Sequence, residues 1–231
     1  MPAGTGVRRV AVVEDHALFA ETLEIALNLE GYVVHRVCPS ENIATGDQVV
    51  HEVVAAKPST VLLDLDLGIV GDGAALVQPL SRAGIAVLIV TASLDRARWG
   101  ECLRSGARAV LPKRTPLRSI LEAIRLLDEG RAVITREQRE ELIGRFHAER
   151  ADVAYLRRKL DLLTTRERQV LGDLMTGRAV RQIASDAVVS ESTVRSQVKS
   201  ILVKLEVSSQ LAAVWLAHRV GWRPPEDSRR R

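Results

Sequence analysis

Aromatic side chains are scarce in this chain: only 3% of its 231 residues are Phe, Trp or Tyr, although 46% are hydrophobic. Any core must therefore be built from Val, Leu, Ile and Ala. Cysteine is as rare. Cys38 and Cys102 stand far apart, and neither has a Cys-x-x-Cys or Cys/His ligand spacing beside it, which argues against a structural zinc site or a disulfide framework and leaves two buried thiols. No apolar run approaches the roughly 18–20 residues that a bilayer span needs. Residues 1–6 are small and polar and lack the apolar core of a secretion signal. These absences predict a cytoplasmic protein without a membrane partner.

What is present is enough chain for two domains. The charge is unevenly spread. Thirteen Lys and Arg against 16 Asp and Glu give residues 1–130 a net −3, whereas twelve against seven give residues 164–231 a net +5, with +2 between them. An acidic front and a basic back place any nucleic-acid partner at the C-terminal part.

Residues 7–130 alternate short β-branched runs with amphipathic segments. Strands are predicted at 10–13, 32–37, 60–65, 85–91 and 108–111, each followed by a helix, at 17–30, 48–56, 74–83, 96–105 and 117–129. Such alternation predicts an α/β fold, a doubly wound, five-stranded parallel sheet covered on both faces. In that architecture ligands bind beyond the C-terminal strand ends, where the strand order reverses. Glu14 and Asp15 follow the first run, Asp64 ends the third, Thr91 ends the fourth and Lys113 follows the fifth, so all five converge on one edge. Clustered carboxylates repel by about 4 kcal/mol per pair at 4 Å when the effective dielectric is near 20. They need a cation, and Mg²⁺, a hard oxygen-seeking ion that completes its shell with phosphate oxygens, suits them. With Thr91 and Lys113 opposite the metal, the set suits phosphoryl transfer to an aspartate.

At those five positions residues 7–130 resemble the receiver domain of two-component response regulators, a flavodoxin-like fold. The resemblance implies that Asp64, in Val61-Leu62-Leu63-Asp64, is the phosphoacceptor. It further implies that Glu14, Asp15 and Asp64, with the backbone carbonyl of Asp66, hold Mg²⁺, and that Thr91 and Lys113 are the switch hydroxyl and the phosphate-binding lysine. His16 is expected as a partly exposed residue at a helix start. Three positions depart from the family: Gly68 replaces a frequent Pro in a loop running to Gly73, Val110 replaces the switch aromatic, and Pro116 does not directly follow the lysine. Val110 cannot carry an aromatic ring in behind Thr91. Asp64-Leu65-Asp66 also resembles the Asp-x-Asp of haloacid-dehalogenase-type phosphatases, but their second acidic pair lies at a strand end, and here Asp128-Glu129 falls in a helical pattern. No enzyme is expected.

Residues 131–162 are expected as a helical linker. Leu142, Phe146, Val153, Leu156, Leu160 and Leu163 recur at helical spacings that fit either a dimer seam or intramolecular packing. From 163 to 222 short helices predict an all-α domain. Thr164 and Glu167 form a capping box before a helix ending near Gly177. A short helix over 180–186, a turn at 187–189 and a Ser190-capped helix to 205 follow at helix-turn-helix spacing, and a last helix spans about 210–219, with a disordered tail from Arg223. This run resembles the LuxR-type helix-turn-helix of the NarL/FixJ subfamily, through Leu163-Thr164-Thr165-Arg166-Glu167, Ile183-Ala184, Ser190-Glu191-Ser192-Thr193-Val194-Arg195 and Lys204-Leu205.

The resemblance implies that Arg195, Ser196 and Lys199 reach base edges and that Ser192, Thr193, Lys204 and Arg181 contact phosphates. It implies a homodimer, at least when phosphorylated, in which Trp215 is the tryptophan to expect at an interface; Trp99 and Trp222 are expected as partly buried core. Glu206 stands where the family often has Gly. The partners expected are promoter DNA and a cognate histidine kinase. The other reading keeps the fold but makes it a transcription factor controlled without phosphate, by a ligand or partner at the acidic edge.

Overall fold

A computed structural model describes residues 8–39 and 42–224. The N-terminal residues before 8 and most of the tail expected to be disordered, from 225 onward, lie outside the described residues. Strands β1 (Arg9–Val13), β2 (Val33–Val37), β3 (Thr60–Leu63), β4 (Ala86–Thr91) and β5 (Ala109–Pro112) alternate with helices α1 (Ala17–Leu29), α2 (Gly46–Ala56), α3 (Ala74–Arg82), α4 (Arg96–Arg104) and α5 (Leu117–Asp128). All strand pairs are parallel and the order is β2-β1-β3-β4-β5. The chain runs outward from β1 to β2 and returns to β3 on the other side, so the switch point lies between β1 and β3.

Strand periodicity divides the core cleanly. Ala11, Val13, Val61, Leu63, Val87 and Ile89 face α2, α3 and α4 in one cluster, whereas Val10, Val12, Leu62, Leu88 and Val90 face α1 and α5 in another. Both faces are covered, which is why β1 after Arg9 and β3 after Thr60 are continuous apolar runs rather than alternating.

Helix α6 (Arg136–Asp161) follows. The chain divides into two units between His147 and Ala148, inside this helix. In the first unit Leu142 joins the core beneath α4 and Phe146 is also buried. In the second, Val153, Leu156, Leu160 and Leu163 pack with the helices that follow. The apolar spacing that left a dimer seam open is thus used within the chain.

The second unit contains α7 (Thr165–Met175), α8 (Val180–Asp186), α9 (Glu191–Leu205) and α10 (Gln210–Arg219). Thr164 and Glu167 form the reciprocal capping box, and Ser190 caps α9 by accepting from Thr193 N at 3.1 Å. Ile183, Ala184, Val194, Val198, Ile201 and Leu205 turn inward to one cluster. Within this unit's described residues two backbone positions favour glycine but lack it. Glu206 ends α9 at φ +55°, where its carboxylate meets Lys159 Nζ at 2.6 Å. Val188, in the turn between α8 and α9, sits at φ +53° with 91% of its surface exposed. A β-branched residue in the left-handed region is strained by about 1–2 kcal/mol. Because Val188 has almost no packing to lose, Val188→Gly is expected to raise the stability of this unit by about 1 kcal/mol in urea unfolding.

Candidate functional site

The register of β1 against β3 pairs Val13 with Leu63, so the next residues, Glu14 and Asp64, leave the sheet side by side at the switch point. Both are buried, at 2% and 3% exposure. Lys113, which follows β5, reaches across to them: its Nζ donates to Glu14 Oε1 at 2.7 Å and to Asp64 Oδ2 at 2.8 Å. The other oxygen, Asp64 Oδ1, accepts the Leu65 N–H at 2.7 Å. One ammonium thus sits against two buried carboxylates.

Electrostatics follow from that crowding. Burial, with the charge of Asp64 behind it, pushes the Glu14 carboxyl above its ordinary range against the pull of Lys113 and the His16 N–H. Burial works against the Lys113 charge, but its contacts with Asp64 and Glu14 outweigh it and raise the ammonium pKa. His16 is the residue before α1 and is exposed, as its position suggested. Its Nδ1 lies 2.8 Å from Asp15 Oδ1 and 3.1 Å from Glu14 Oε1. Lys113 opposes protonation of this ring, yet Asp15 and Glu14 raise its pKa overall.

Candidate ligand atoms of Glu14, Asp15, His16 and Asp64 all lie within 4.8 Å of one another. Three carboxylates on one edge, two of them buried, form a hard-oxygen donor set that fits Mg²⁺. Asp66 is exposed and its side chain is not in this group; the role expected of it uses the backbone carbonyl. Thr91 is buried at the end of β4, where its hydroxyl accepts the Ser93 N–H at 3.1 Å and its carbonyl accepts the Lys113 N–H at 2.8 Å. No hydrogen bond among the described residues joins the Thr91 hydroxyl to Asp64 or Lys113. Val110 is buried in the α4-side cluster with Trp99.

The loop after Asp64 contributes residues that sequence reasoning missed. It makes a single 3-10 turn over Gly68–Val70 and closes by a bridge between Asp66 and Asp72. Arg98 of α4 donates from Nη2 to the Leu65 carbonyl at 2.9 Å and to Asp72 Oδ1 at 2.7 Å. A basic residue in the first turn of a helix has no motif to announce it. Gly68 leaves room for Asp15, whose Oδ2 would lie 3.2 Å from a Cβ there.

In the second unit, Ser192, Arg195, Ser196 and Lys199 lie one or two turns apart on the exposed side of α9, opposite Val194, Val198 and Ile201. Thr193 is exposed beside the Ser190 cap and Arg181 is exposed on α8. Lys204 is placed differently. Its Nζ donates to Glu167 Oε2 at 2.7 Å, while Ser200 donates to Glu167 Oε1 at 2.6 Å and the Thr164 N–H completes the set. Burial opposes ionisation of Glu167, but these donors hold its carboxyl down at about 2. A carboxyl lowered from 4.5 in the fold contributes stability above that pH and loses it as pH falls toward about 2. The loss is expected to be about 3 kcal/mol, and in acid titrations of unfolding Glu167→Gln should remove most of that pH dependence. On α10, Leu211 and Trp215 stand one turn apart with 78% and 60% of their surfaces exposed, whereas Trp99 is buried and Trp222 partly so.

Residues 10–125 match the response regulator receiver domain model, and residues 161–217 match that of bacterial regulatory proteins of the luxR family. The probable transcriptional regulatory protein NarL of Mycobacterium tuberculosis is 31% identical over 91% of this chain and 94% of its own length. The nitrate/nitrite response regulator protein NarP of Escherichia coli is 30% identical over 94% and 96%. A solved structure of the two-component response regulator RcsB in complex with DNA covers 93% of this chain and 100% of its own, at 20% identity and a TM-score of 0.50, and shares the fold.

Proposed function

The chain belongs to the NarL/FixJ-type two-component response regulators, with a receiver and a LuxR-type DNA-binding domain, and from that membership we propose that Asp64 is the carboxylate that carries the signal. The observation behind this reading is the pairing of Asp64 with Lys113 at 2.8 Å, beside Glu14 and at the switch point of the sheet. An Asp64 oxygen attacks the phosphorus of a phosphohistidine on the kinase. The P–N bond breaks, its electron pair leaves with the imidazole, and an acyl phosphate remains on Asp64. Glu14, Asp15 and Asp64, with the Asp66 carbonyl, would hold Mg²⁺, which when bound would neutralise charge on the phosphoryl oxygens. Lys113 turns from carboxylate to phosphate oxygen, and Thr91, released from the Ser93 N–H, supplies the switch hydroxyl.

The DNA-binding domain then acts at promoters. Arg195, Ser196 and Lys199 are its base-reading residues, while Ser192, Thr193 and Arg181 contact phosphates. Lys204 joins them only if it leaves Glu167. A two-fold dimer through α10 goes with the exposed Leu211 and Trp215. No single helix among the described residues is long and apolar enough to cross a membrane, and a cytoplasmic protein meeting a sensor histidine kinase is the setting this reading requires.

The test is uptake of phosphate from a small phosphodonor with Mg²⁺. The wild-type chain is expected to gain one phosphoryl group and Asp64→Asn none. The buried Val110 and the Thr91 hydroxyl already satisfied by its own loop favour a second reading, a transcription factor controlled without phosphate; DNA binding by a wild-type chain that takes up no phosphate would support it.

A further inference from the structure

Two adjacent residues of α4 hold the two backbone segments that flank the acidic site. Arg98 binds the Leu65 carbonyl, and the N–H of the same Leu65 donates to Asp64 Oδ1. Trp99 donates from its indole to the Ser93 carbonyl at 3.0 Å, and the N–H of the same Ser93 donates to the Thr91 hydroxyl. Each link runs from α4 through a single residue to a functional side chain.

The Arg98 link is the more constrained. Leu65 is fully buried, and its carbonyl accepts a second bond from the Gly73 N–H at 3.0 Å. Asp72 shares one oxygen between Arg98 and the Ala74 N–H at the start of α3. Asp95 caps α4 by accepting from Ala97 and Arg98 N–H groups at 2.9 and 3.1 Å, which fixes the turn that carries the guanidinium. Arg98 thus clasps both ends of the loop from Leu65 to Asp72, with more than two-thirds of its side chain buried. A partly buried charged donor on a backbone carbonyl is among the stronger hydrogen bonds a protein makes.

We propose that Arg98 is a positioning residue for phosphoryl uptake: reaching from α4, it fixes the peptide that follows the acceptor carboxylate and so makes α4 the first element to respond when Asp64 carries phosphate. The proposal rests on the reading of Asp64 as acceptor. It assigns to a guanidinium a coupling that Val110, buried and without a ring, cannot perform. At its other end α4 is held as firmly, since Arg139 of α6 donates to the carbonyls of Ala107, at 2.9 Å, and Leu103. A displacement of the acceptor peptide is therefore delivered to a helix gripped at both ends.

The experiment uses the full chain, with acetyl phosphate and Mg²⁺ as probes. Arg98→Ala is expected to take up phosphate about tenfold more slowly at saturating Mg²⁺, because misplacing the attacking oxygen slows the transfer itself. Arg98→Lys should recover most of the rate, since an ammonium can still donate to the Leu65 carbonyl. Hydrogen exchange over residues 92–106 should change on phosphorylation of the wild type and stay unchanged in Arg98→Ala. Asp72→Ala, at an exposed position, is expected to slow uptake about threefold and serves if Arg98→Ala does not fold. An Arg98→Ala or Asp72→Ala chain with the wild-type rate and the wild-type exchange response would overturn the proposal while leaving Asp64 as acceptor. A wild-type chain that takes up no phosphate would overturn the acceptor reading, and the proposal with it.

Discussion

Gly73→Ala is expected to destabilise the receiver by about 3 kcal/mol, at the upper end of what inserting one methyl group into packed surroundings costs. The backbone angles are not the cause: Gly73 sits at φ −61° and ψ −21°, where alanine is at ease. Space is the cause. A Cβ there would lie 2.1 Å from the Asp64 carbonyl oxygen, 3.1 Å from its carbon and 3.2 Å from Leu65 Cα. All three are main-chain atoms at the end of a strand held by neighbours on both sides, so none can swing away as a side-chain tip would. The loop must move, and it carries the bond from Gly73 N–H to Leu65 O with it. Gly71→Ala, two residues earlier, is the control. That glycine has φ +88° and ψ −131°, a region that side-chain-bearing residues avoid, but nothing within 4 Å of a Cβ, so the change costs backbone strain alone, about 1–3 kcal/mol. Urea unfolding should rank them in that order, and phosphate uptake by whatever Gly73→Ala protein folds should fall further than its stability.

Lys113→Met has the other large expected effect. Among the described residues the lysine is the only cation hydrogen-bonded to both Glu14 and Asp64. Their side chains are 3% and 2% exposed. Removing it leaves two buried negative charges facing each other, and breaking a buried pair typically costs about 3–5 kcal/mol. The lower figure is expected here, because Lys113 keeps 17% of its side chain in solvent and Glu14 has an escape. Its carboxyl already ionises above the usual range in the native chain, and without the ammonium it should rise further. A carboxyl whose folded pKa is raised lowers stability above that pKa and ceases to do so once protonated. The deficit of Lys113→Met should therefore shrink as the pH falls through the raised Glu14 pKa, and Mg²⁺ should shrink it at neutral pH. Asp64→Asn in the same chain should restore part of the loss. Phosphoryl uptake is expected to drop about a hundredfold, the usual cost of removing one preorganised charge from a transfer site.

Much of this was legible in the chain. Five apolar runs, each followed by an amphipathic segment, set the doubly wound sheet, and Glu14, Asp64 and Lys113 could be placed together because strand ends in such a sheet share one edge. Helix ends were legible where a capping residue stood in plain view, as at Thr164 and Ser190. At α2 the start was expected at 48, two residues late, because the capping box formed by Thr45 and Gln48 went unread. The third strand ends at Leu63 rather than at 65: the Asp64 N–H still donates to the Val13 carbonyl of β1, but Leu65 bonds to the Asp64 side chain, to Arg98 and to the loop instead of to the sheet.

Long, flexible side chains were the least legible. Lys113 was expected to face phosphate oxygens, yet it also holds Glu14; Lys204 was expected at the DNA, yet its amine turns back to Glu167. A helical face tells where a Cβ points, not where a four-carbon stem ends. Arg98 shows the same limit, since its partners are a carbonyl 33 residues earlier and an aspartate 26 residues earlier.

One carboxyl group, that of Asp64, is expected to govern the grip of α9 on DNA. The direct measurement is equilibrium binding to a genomic fragment selected by the phosphorylated protein, before and after treatment with acetyl phosphate and Mg²⁺, for the wild-type chain and for Asp64→Asn. A gain in affinity of about tenfold, within the usual range of coupling between two sites, is predicted for the wild type and none for Asp64→Asn. An equal gain in both chains would contradict it.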